Sequence, residues 1–243
     1  MHPARPTRLA LIDVLRGLAV AQMIVYHFIY DLNYFGWVKF RMLVDQPWVG
    51  WRTAIVTQFL LLVGISLVLR MSFKPGLGDF LRRWAEVAGA ALVVSAGSWL
   101  VFGPRFIWFG ILHFIAAALL LVRPLVRLGA WNLALGAVAL TAGLLLADPA
   151  FNATPANVIG FVTKKPATED YVPLFPWIAA VLIGVGLGSL WQRAGWRVPS
   201  VLAPLDAHPP RLLQLLGTWA LTVYLVHQPV LMGVLMLLRK AGL

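Results

Sequence analysis

Cysteine is absent from this sequence of 243 residues, and charged residues make up only 12% of it. The lack of cysteine excludes disulfides, thiolate metal sites and cysteine nucleophiles. Soluble domains are about 25% charged, so this chain has too little polar surface to cover a water-soluble globule. Hydrophobic residues form 60% of the chain and fall in long blocks, and a bilayer-crossing helix needs about 20 of them. The composition therefore predicts an all-α, polytopic transmembrane helix bundle.

Hydropathy and block length predict about seven membrane spans. They lie near residues 9–35, 51–70, 80–102, 106–122, 128–147, 173–191 and 212–238. Proline and glycine mark several divisions, for example Gly103-Pro104 between the third and fourth spans. No polar segment is long enough to form a separate globule, so residues 1–243 are predicted to be a single integral membrane domain.

The net charge of +11 arises largely from Lys and Arg in short loops between the apolar blocks. This distribution is typical of the positive-inside bias of membrane proteins and argues against a nucleic-acid partner. An anionic ligand or lipid surface on the basic side is the alternative explanation. With a cytoplasmic N-terminus, that side carries eleven basic residues and the other side eight. We therefore expect the N-terminus to be cytoplasmic.

The first span carries four ionisable residues on one face, namely Asp13, Arg16, His27 and Asp31. At about 100° per residue they fall within a sector of about 60°. Ionisable groups are expensive inside a membrane and usually face the bundle interior or a water-filled cavity. The stripe therefore predicts a functional site on the first helix.

His27 and Asp31 lie one helical turn apart, a spacing that lets a carboxylate orient an imidazole and raise its basicity. This pairing is typical of a general base. The structural alternative is a histidine satisfied by a neighbouring helix, with Asp31 as an interfacial cap. Inside a membrane stripe we favour the catalytic reading, with His27 as the base and Asp31 as its orienting carboxylate.

Asp13 and Arg16 lie roughly 16–21 Å from His27 along the helix axis, near the cytoplasmic end. They cannot touch His27. An internal salt bridge between them, or a pairing with Glu86 on the third span, is the structural alternative to a role in binding a donor substrate.

Three histidines, His27, His113 and His227, fall within predicted spans, and counting from the span ends places all three at one depth. A histidine triad could bind a transition metal such as zinc. Alternatively, one histidine is a catalytic base and the others position substrate. In the third reading each is separately hydrogen-bonded between helices. The spacing alone leaves these readings open.

Five runs of the sequence together resemble one family. They are DVLRGLAVAQMIVYHFIYD at the first span, FLLLVGIS at the second, FGILH at the fourth, PLFPW at the sixth and LGTWALTVYLVHQP at the seventh. The chain resembles the catalytic-domain family of heparan-alpha-glucosaminide N-acetyltransferase, which consists of transmembrane acyltransferases with many short bacterial members. The resemblance touches most of the chain, and the ordered set of motifs is more specific than any one of them.

The resemblance implies an integral membrane enzyme, in a bacterial cytoplasmic (inner) membrane, that uses acyl-CoA, with acetyl-CoA as the expected co-substrate. The acetyl group would pass to an amine or hydroxyl, in a small molecule or a glycan, on the far side. His27 would be the base and Asp31 its partner, with His113 and His227 in the same site and Asp13 and Arg16 on the donor side. Homo-oligomerisation is left open.

Other residues have wider roles in this interpretation. The basic loop residues Arg70, Lys74, Arg82 and Arg83 could meet the nucleotide phosphates of CoA. Trp108 and Trp177, with Phe109 and Tyr224, could wall the cavity, although aromatic residues near membrane interfaces more often form an interfacial belt. No metal is expected to be required.

One departure from the family limits the comparison. In the animal lysosomal enzyme, the histidine thought to be catalytic follows the first catalytic-domain helix, but no histidine lies between Phe28 and Phe109 here. Only His27 can be nominated on that helix. A proton-coupled transporter is the rival reading, because His and Asp relays serve transport as well. The absence of an inverted repeat in the sequence argues against it.

Overall fold

The computed structural model describes residues 9–73 and 76–242. Over these residues the chain is helical and has no β-strand, which confirms the predicted all-α class. The α-helices are α1 (Ala10–Tyr34), α2 (Gln46–Met71), α3 (Leu77–Phe102), α4 (Ile111–Val122), α5 (Asn132–Leu145), α6 (Leu174–Arg193), α7 (Ala203–Ala207), α8 (Arg211–Thr218) and α9 (Ala220–Lys240). Short 3-10 segments lie at Gly103–Arg105, Pro124–Trp131, Pro149–Asn152 and Ala156–Val158.

Six helical segments in the described part of the chain are long and apolar enough to cross a membrane. They are Ala10–Tyr34, Gln46–Met71, Leu77–Arg105, Pro124–Leu145, Leu174–Arg193 and Ala220–Lys240. A seventh apolar helix, α4, has only 12 residues. The prediction of a polytopic helical membrane protein with about seven spans is confirmed.

Two of the predicted spans are shorter than expected. The fourth begins at Ile111 instead of near 106, because the preceding backbone is held in place by side chains and by the later loop. There the Ile107 amide donates to Ser98 Oγ at 2.9 Å, and the Val172 amide donates to the Phe109 carbonyl at 3.3 Å. The seventh predicted span is split at Trp219 (φ −99°, ψ 22°) into α8 and α9.

The chain divides into two compact units. The terminal unit consists of Met1–Phe59 with Val198–Leu243, and the central unit of Leu60–Arg197. The boundary falls within α2. The terminal unit contains α1, α7, α8 and α9 with the first half of α2, and it holds His27, Asp31 and His227. That residues 1–243 act as one domain stays a prediction.

Within the terminal unit, α1 and α8 cross at two glycines. A Cβ added to Gly17 would lie 1.8 Å from the Leu213 carbonyl oxygen, and one added to Gly217 would lie 1.8 Å from the Asp13 carbonyl oxygen. Both positions therefore need glycine, which lets the backbones approach as small residues do in membrane helix pairs. Asp206 of α7 also accepts a hydrogen bond from the Leu11 amide at 2.8 Å, so it satisfies a free N–H of the first turn of α1.

A second contact of α1 is polar. Gln22 Nε2 donates to Gln58 Oε1 at 3.0 Å, and Gln58 Nε2 donates to the Leu15 carbonyl at 3.0 Å. Trp51 Nε1 donates to Gln22 Oε1 at 3.3 Å. Buried apolar side chains of Val20, Met23, Tyr26, Met42, Ile55 and Ala220 form the core of this unit. These contacts hold α1 firmly, with the His27 face turned away from the glutamine pair.

The central unit is also built on close helix contacts. A Cβ on Gly184 would lie 2.2 Å from the Leu61 carbonyl oxygen, and one on Gly64 would lie 2.2 Å from the Val181 carbonyl oxygen. The α2 and α6 backbones therefore touch at two glycines. Within the loop from Leu146 to Pro173, the Tyr171 hydroxyl donates to the Asn157 carbonyl at 2.6 Å and so joins two parts of the loop. Burial raises the pKa of Tyr171 to about 12.

Candidate active site

Two histidines meet between α1 and α9. The rings of His27 and His227 lie edge to face, with centroids 4.9 Å apart and an interplanar angle of 69°. His227 is 8% exposed. The prediction from depth counting that these two residues lie at the same level is consistent with their direct contact.

Hydrogen bonds to backbone carbonyls define the tautomer of both rings. His27 Nδ1 lies 2.9 Å from the Met23 carbonyl, and His227 Nδ1 lies 2.7 Å from the Tyr224 carbonyl. A carbonyl oxygen can only accept, so Nδ1 carries the hydrogen in each ring. In the neutral imidazole the lone pair is then on Nε2. His227 Nε2 is buried and has no hydrogen-bond partner among the described residues.

Asp31 is joined to this histidine pair through Gln228, the residue that follows His227. Asp31 is 1% exposed, and its Oδ1 accepts a hydrogen bond from Gln228 Nε2 at 2.7 Å. Neither Asp31 Oδ2 nor Gln228 Oε1 has a hydrogen-bond partner in the described part of the chain. Together with His227 Nε2, they are three buried acceptor atoms without a donor. Such atoms are costly unless something pairs with them.

The prediction that Asp31 orients the His27 ring by a hydrogen bond is wrong. Within residues 9–73 and 76–242, no hydrogen bond joins them, and the Met23 carbonyl orients the His27 ring instead. The physical reason is the tilt of helical side chains toward the N-terminus of their helix. The ring of His27 therefore leans over Met23, four residues earlier, and away from Asp31, four residues later.

Asp13 and Arg16 form the predicted internal salt bridge at the other end of the stripe. Arg16 Nη1 lies 3.0 Å from Asp13 Oδ1, and it also donates to the Gly217 carbonyl at 3.3 Å. Glu86, named as the alternative partner, binds Arg83 Nη1 at 2.7 Å. Arg16 retains 25% exposure of its side chain while Asp13 is buried. The role of Arg16 in donor binding stays a prediction.

His113 belongs to the central unit and makes structural hydrogen bonds with both ring nitrogens. The Gly110 amide donates to Nδ1 at 3.3 Å, and Ser95 Oγ lies 3.0 Å from Nε2. Because the Ser95 hydroxyl donates to the Ile107 carbonyl at 2.7 Å, it must accept from Nε2–H. His113 is thus the opposite tautomer to the other two histidines. It helps to begin α4, where Asp170 Oδ2 accepts from the Ile111 amide at 2.9 Å.

The family model of heparan-alpha-glucosaminide N-acetyltransferase, catalytic, matches residues 8–229. This chain belongs to that family. The matched segment contains His27, Asp31, His227 and Gln228, so the cluster described above lies within it. Membership implies a membrane acetyltransferase. No match was found among curated proteins or among solved structures.

The remaining residues that the sequence predicts in the site of this acetyltransferase family member lie at several places. Trp108 lies beside Phe109 before α4, with ring centroids 6.0 Å apart, and Trp177 lies in the first turn of α6. Both are half-buried. The Tyr224 ring lies 5.7 Å from that of His227. The roles of His113, Trp108 and Trp177 in substrate binding stay predictions, and Lys74 lies outside the described residues.

The alternative of a histidine metal site has no support in the geometry. Among residues 9–73 and 76–242 no group of three or more His, Asp or Glu side chains is arranged to hold a metal ion. Both Nδ1 atoms of the His27–His227 pair are engaged with carbonyls, which leaves one nitrogen per ring.

Gln228 is the site residue that sequence reasoning missed. It is uncharged and follows a histidine, so neither charge nor hydropathy singles it out. The available signal is the pair His227-Gln228, two consecutive polar residues inside a span that is otherwise apolar. An intramembrane carboxylate such as Asp31 needs a donor from another helix, and Gln228 is that donor.

Proposed function

We propose that this protein is an acyl-CoA-dependent acetyltransferase that works across a bacterial cytoplasmic membrane. The acetyl group would come from acetyl-CoA on the cytoplasmic side, where the N-terminus would also lie. It would pass to an amine or hydroxyl of a small molecule or sugar on the other side. Family membership supports the transfer of an acetyl group, and the His27–His227 pair is the observation that supports this site for it.

His27 is the proposed general base. Its Nδ1–H is bound to the Met23 carbonyl, so Nε2 has the lone pair that accepts a proton from the attacking amine or hydroxyl. As that group attacks the thioester carbonyl, a C–N or C–O bond forms and the C–S bond breaks. The proton on His27 then passes to the departing thiolate, which leaves as CoA thiol. No oxidant or metal is needed for this balance.

His227 and the Asp31–Gln228 pair would bind the acceptor substrate. Their three buried acceptor atoms need N–H or O–H donors, and an amine or a hydroxyl compound supplies them. The negative charge of Asp31, one turn from His27, would also stabilise the imidazolium that forms during transfer. Asp31 therefore acts by charge and by binding Gln228, not by orienting the His27 ring.

Arg16 is the proposed donor-side residue. Its guanidinium is fixed by Asp13 and by the Gly217 carbonyl, yet part of its side chain stays exposed. A guanidinium in this setting could contact a phosphate or the pantetheine chain of CoA. Asp13 would then be a positioning residue for Arg16.

The test is CoA release from acetyl-CoA by detergent-purified protein, with pooled amines and amino sugars as acceptors. We expect release by the wild type and by His208→Ala, which alters an exposed histidine outside the cluster. We expect none by His27→Ala. Full release by His27→Ala would overturn the base assignment. Substrate flux driven by a pH gradient in proteoliposomes, without acetylation of the substrate, would establish the transporter instead.

A further inference from the structure

Seven arginines cluster at helix ends of the central unit. They lie at the end of α2, in the first turns of α3, just after α4, and at the end of α6: Arg70, Arg82, Arg83, Arg123, Arg127, Arg193 and Arg197. We call this group the arginine face. Six of the seven are exposed, and Arg123 is half-buried.

Side-chain contacts bring these helix ends together. Gln192 Nε2 donates to Ser72 Oγ at 2.9 Å, which joins the end of α6 to the end of α2. The guanidinium of Arg193 lies 3.2 Å from the position of a Cβ on Gly129, in the segment after α4. The guanidinium of Arg123 stacks over the Phe80 ring of α3, 4.6 Å from its centroid. The arginine face is therefore one continuous surface within this unit.

The arginine face has a large excess of unpaired positive charge. Asp79 and Glu86 are the carboxylates on the neighbouring turns of α3, and Glu86 binds Arg83. The other six arginines form no ion pair with any carboxylate in the described part of the chain. Mutual repulsion among these cations is relieved when anions bind between them.

The surroundings of the arginine face are apolar. Large exposed leucines lie on the same helix ends: Leu77, Leu81, Leu120, Leu121 and Leu128. Since α2, α3 and α6 are membrane-crossing helices, their ends lie where lipid phosphates meet acyl chains. A ligand for this surface should thus combine an anionic phosphate with hydrocarbon chains.

We propose that the arginine face binds the headgroup of an anionic glycerophospholipid, with the phosphate held by guanidinium forks and the acyl chains on the exposed leucines. Guanidinium groups bind phosphate oxygens bidentately, and basic pockets between transmembrane helices bind such headgroups. A free nucleotide would use the arginines but not the leucines, so the combination favours a lipid over the phosphates of CoA.

The experiment measures binding of pyrene-labelled phosphatidylglycerol and phosphatidylcholine to the full chain in dodecyl maltoside, by energy transfer from tryptophan. We expect wild type to bind phosphatidylglycerol at least about tenfold more tightly than phosphatidylcholine. The triple variant R70Q/R82Q/R127Q should bind it about 10- to 100-fold more weakly than wild type. These three side chains form no ion pair in the structure, so the variant should fold. The charge-matched control K39Q/K164Q/K240Q, which alters exposed lysines elsewhere, should stay within about twofold of wild type.

Equal binding of the two lipids by wild type, or equal weakening by the two triple variants, would overturn the proposal. Displacement of the labelled lipid by micromolar CoA would overturn it in favour of a nucleotide site. If R70Q/R82Q/R127Q elutes as an aggregate, the single variants R82Q and R127Q serve in its place. Each should weaken phosphatidylglycerol binding about threefold or more. R70K/R82K/R127K keeps the charge but cannot form bidentate forks, so it should retain only part of the wild-type affinity, and failure of either result counts against the lipid site.

Discussion

The rings of His27 and His227 have centroids 4.9 Å apart, and each ring is fixed through Nδ1 by a carbonyl of its own helix. The two histidines are thus equivalent in tautomer but not in surroundings. His227 is buried, whereas His27 is only half-buried. In the proposed function, His27 therefore transfers the proton and His227 binds the acceptor.

The first prediction distinguishes these roles. His27→Gln should lower kcat about 10²- to 10⁴-fold, the range typical of a lost general base, with a small change in KM. His227→Gln should mainly raise the KM for the acceptor, because it removes a binding contact. Steady-state kinetics of CoA release at varied acceptor concentration measures both values. A larger kcat loss in His227→Gln than in His27→Gln would reverse the assignment.

The second prediction concerns the Asp31–Gln228 pair. Gln228→Leu removes the hydrogen-bond donor to a buried carboxylate, so it should lower the free energy of unfolding by about 1–3 kcal/mol. Asp31→Asn retains an oxygen that can accept from Gln228 and removes the charge, so it should fold as well as wild type but lose most activity. Thermal unfolding and CoA release are the two measurements. An active, stable Asp31→Asn enzyme would exclude a role for the charge.

The third prediction concerns the crossing of α1 and α8. Gly17→Ala and Gly217→Ala each place a methyl group 1.8 Å from a carbonyl oxygen of the partner helix, so each should lower the unfolding temperature and the yield of folded protein. Gly89→Ala is the matched control, because nothing lies within 4 Å of its added Cβ. Its stability should be unchanged or slightly higher, since alanine reduces the freedom of the unfolded chain. Equal behaviour of the three variants would contradict the close crossing.

The fourth prediction is a pH dependence. Burial raises the pKa of Tyr171 to about 12 from 10.0, so the folded state keeps its proton at a pH where the unfolded chain loses it. The contribution of Tyr171 to stability is therefore complete below about pH 10 and lost as pH rises from there toward 12. The unfolding temperature of wild type should exceed that of Tyr171→Phe at pH 8, and the two should converge above pH 10. A constant difference across that range would contradict the shift.

Much of the site could be predicted because helix periodicity is a strong signal inside membranes. The stripe from Asp13 to Asp31 was visible at 3.6 residues per turn, and depth counting brought His227 level with His27. Periodicity treats residues four before and four after His27 alike, however, and only the tilt of the side chain toward the N-terminus favours Met23 over Asp31.

Other features had no local signal. The α8–α9 break at Trp219 contains no proline, and the predicted span 212–238 runs across it. Asp206 lies outside every predicted span, yet it caps α1 through the Leu11 amide. Such contacts depend on how distant segments meet, which composition and spacing do not encode. For the same reason the arginine face was visible as scattered loop charges but not as one surface.

The α1 helix draws three of its polar partners from the other end of the chain. Leu11, Arg16 and Asp31 bind Asp206, Gly217 and Gln228, which follow them by 195, 201 and 197 residues. At about 5–20 residues per second of synthesis, roughly 10–40 s pass before those partners emerge from the ribosome. Until that final segment arrives, Asp31 lacks the Gln228 side chain that binds it, whereas Asp13 is already paired with Arg16 on the same helix. A premature stop codon before residue 228 would leave this first helix inserted and permanently incomplete.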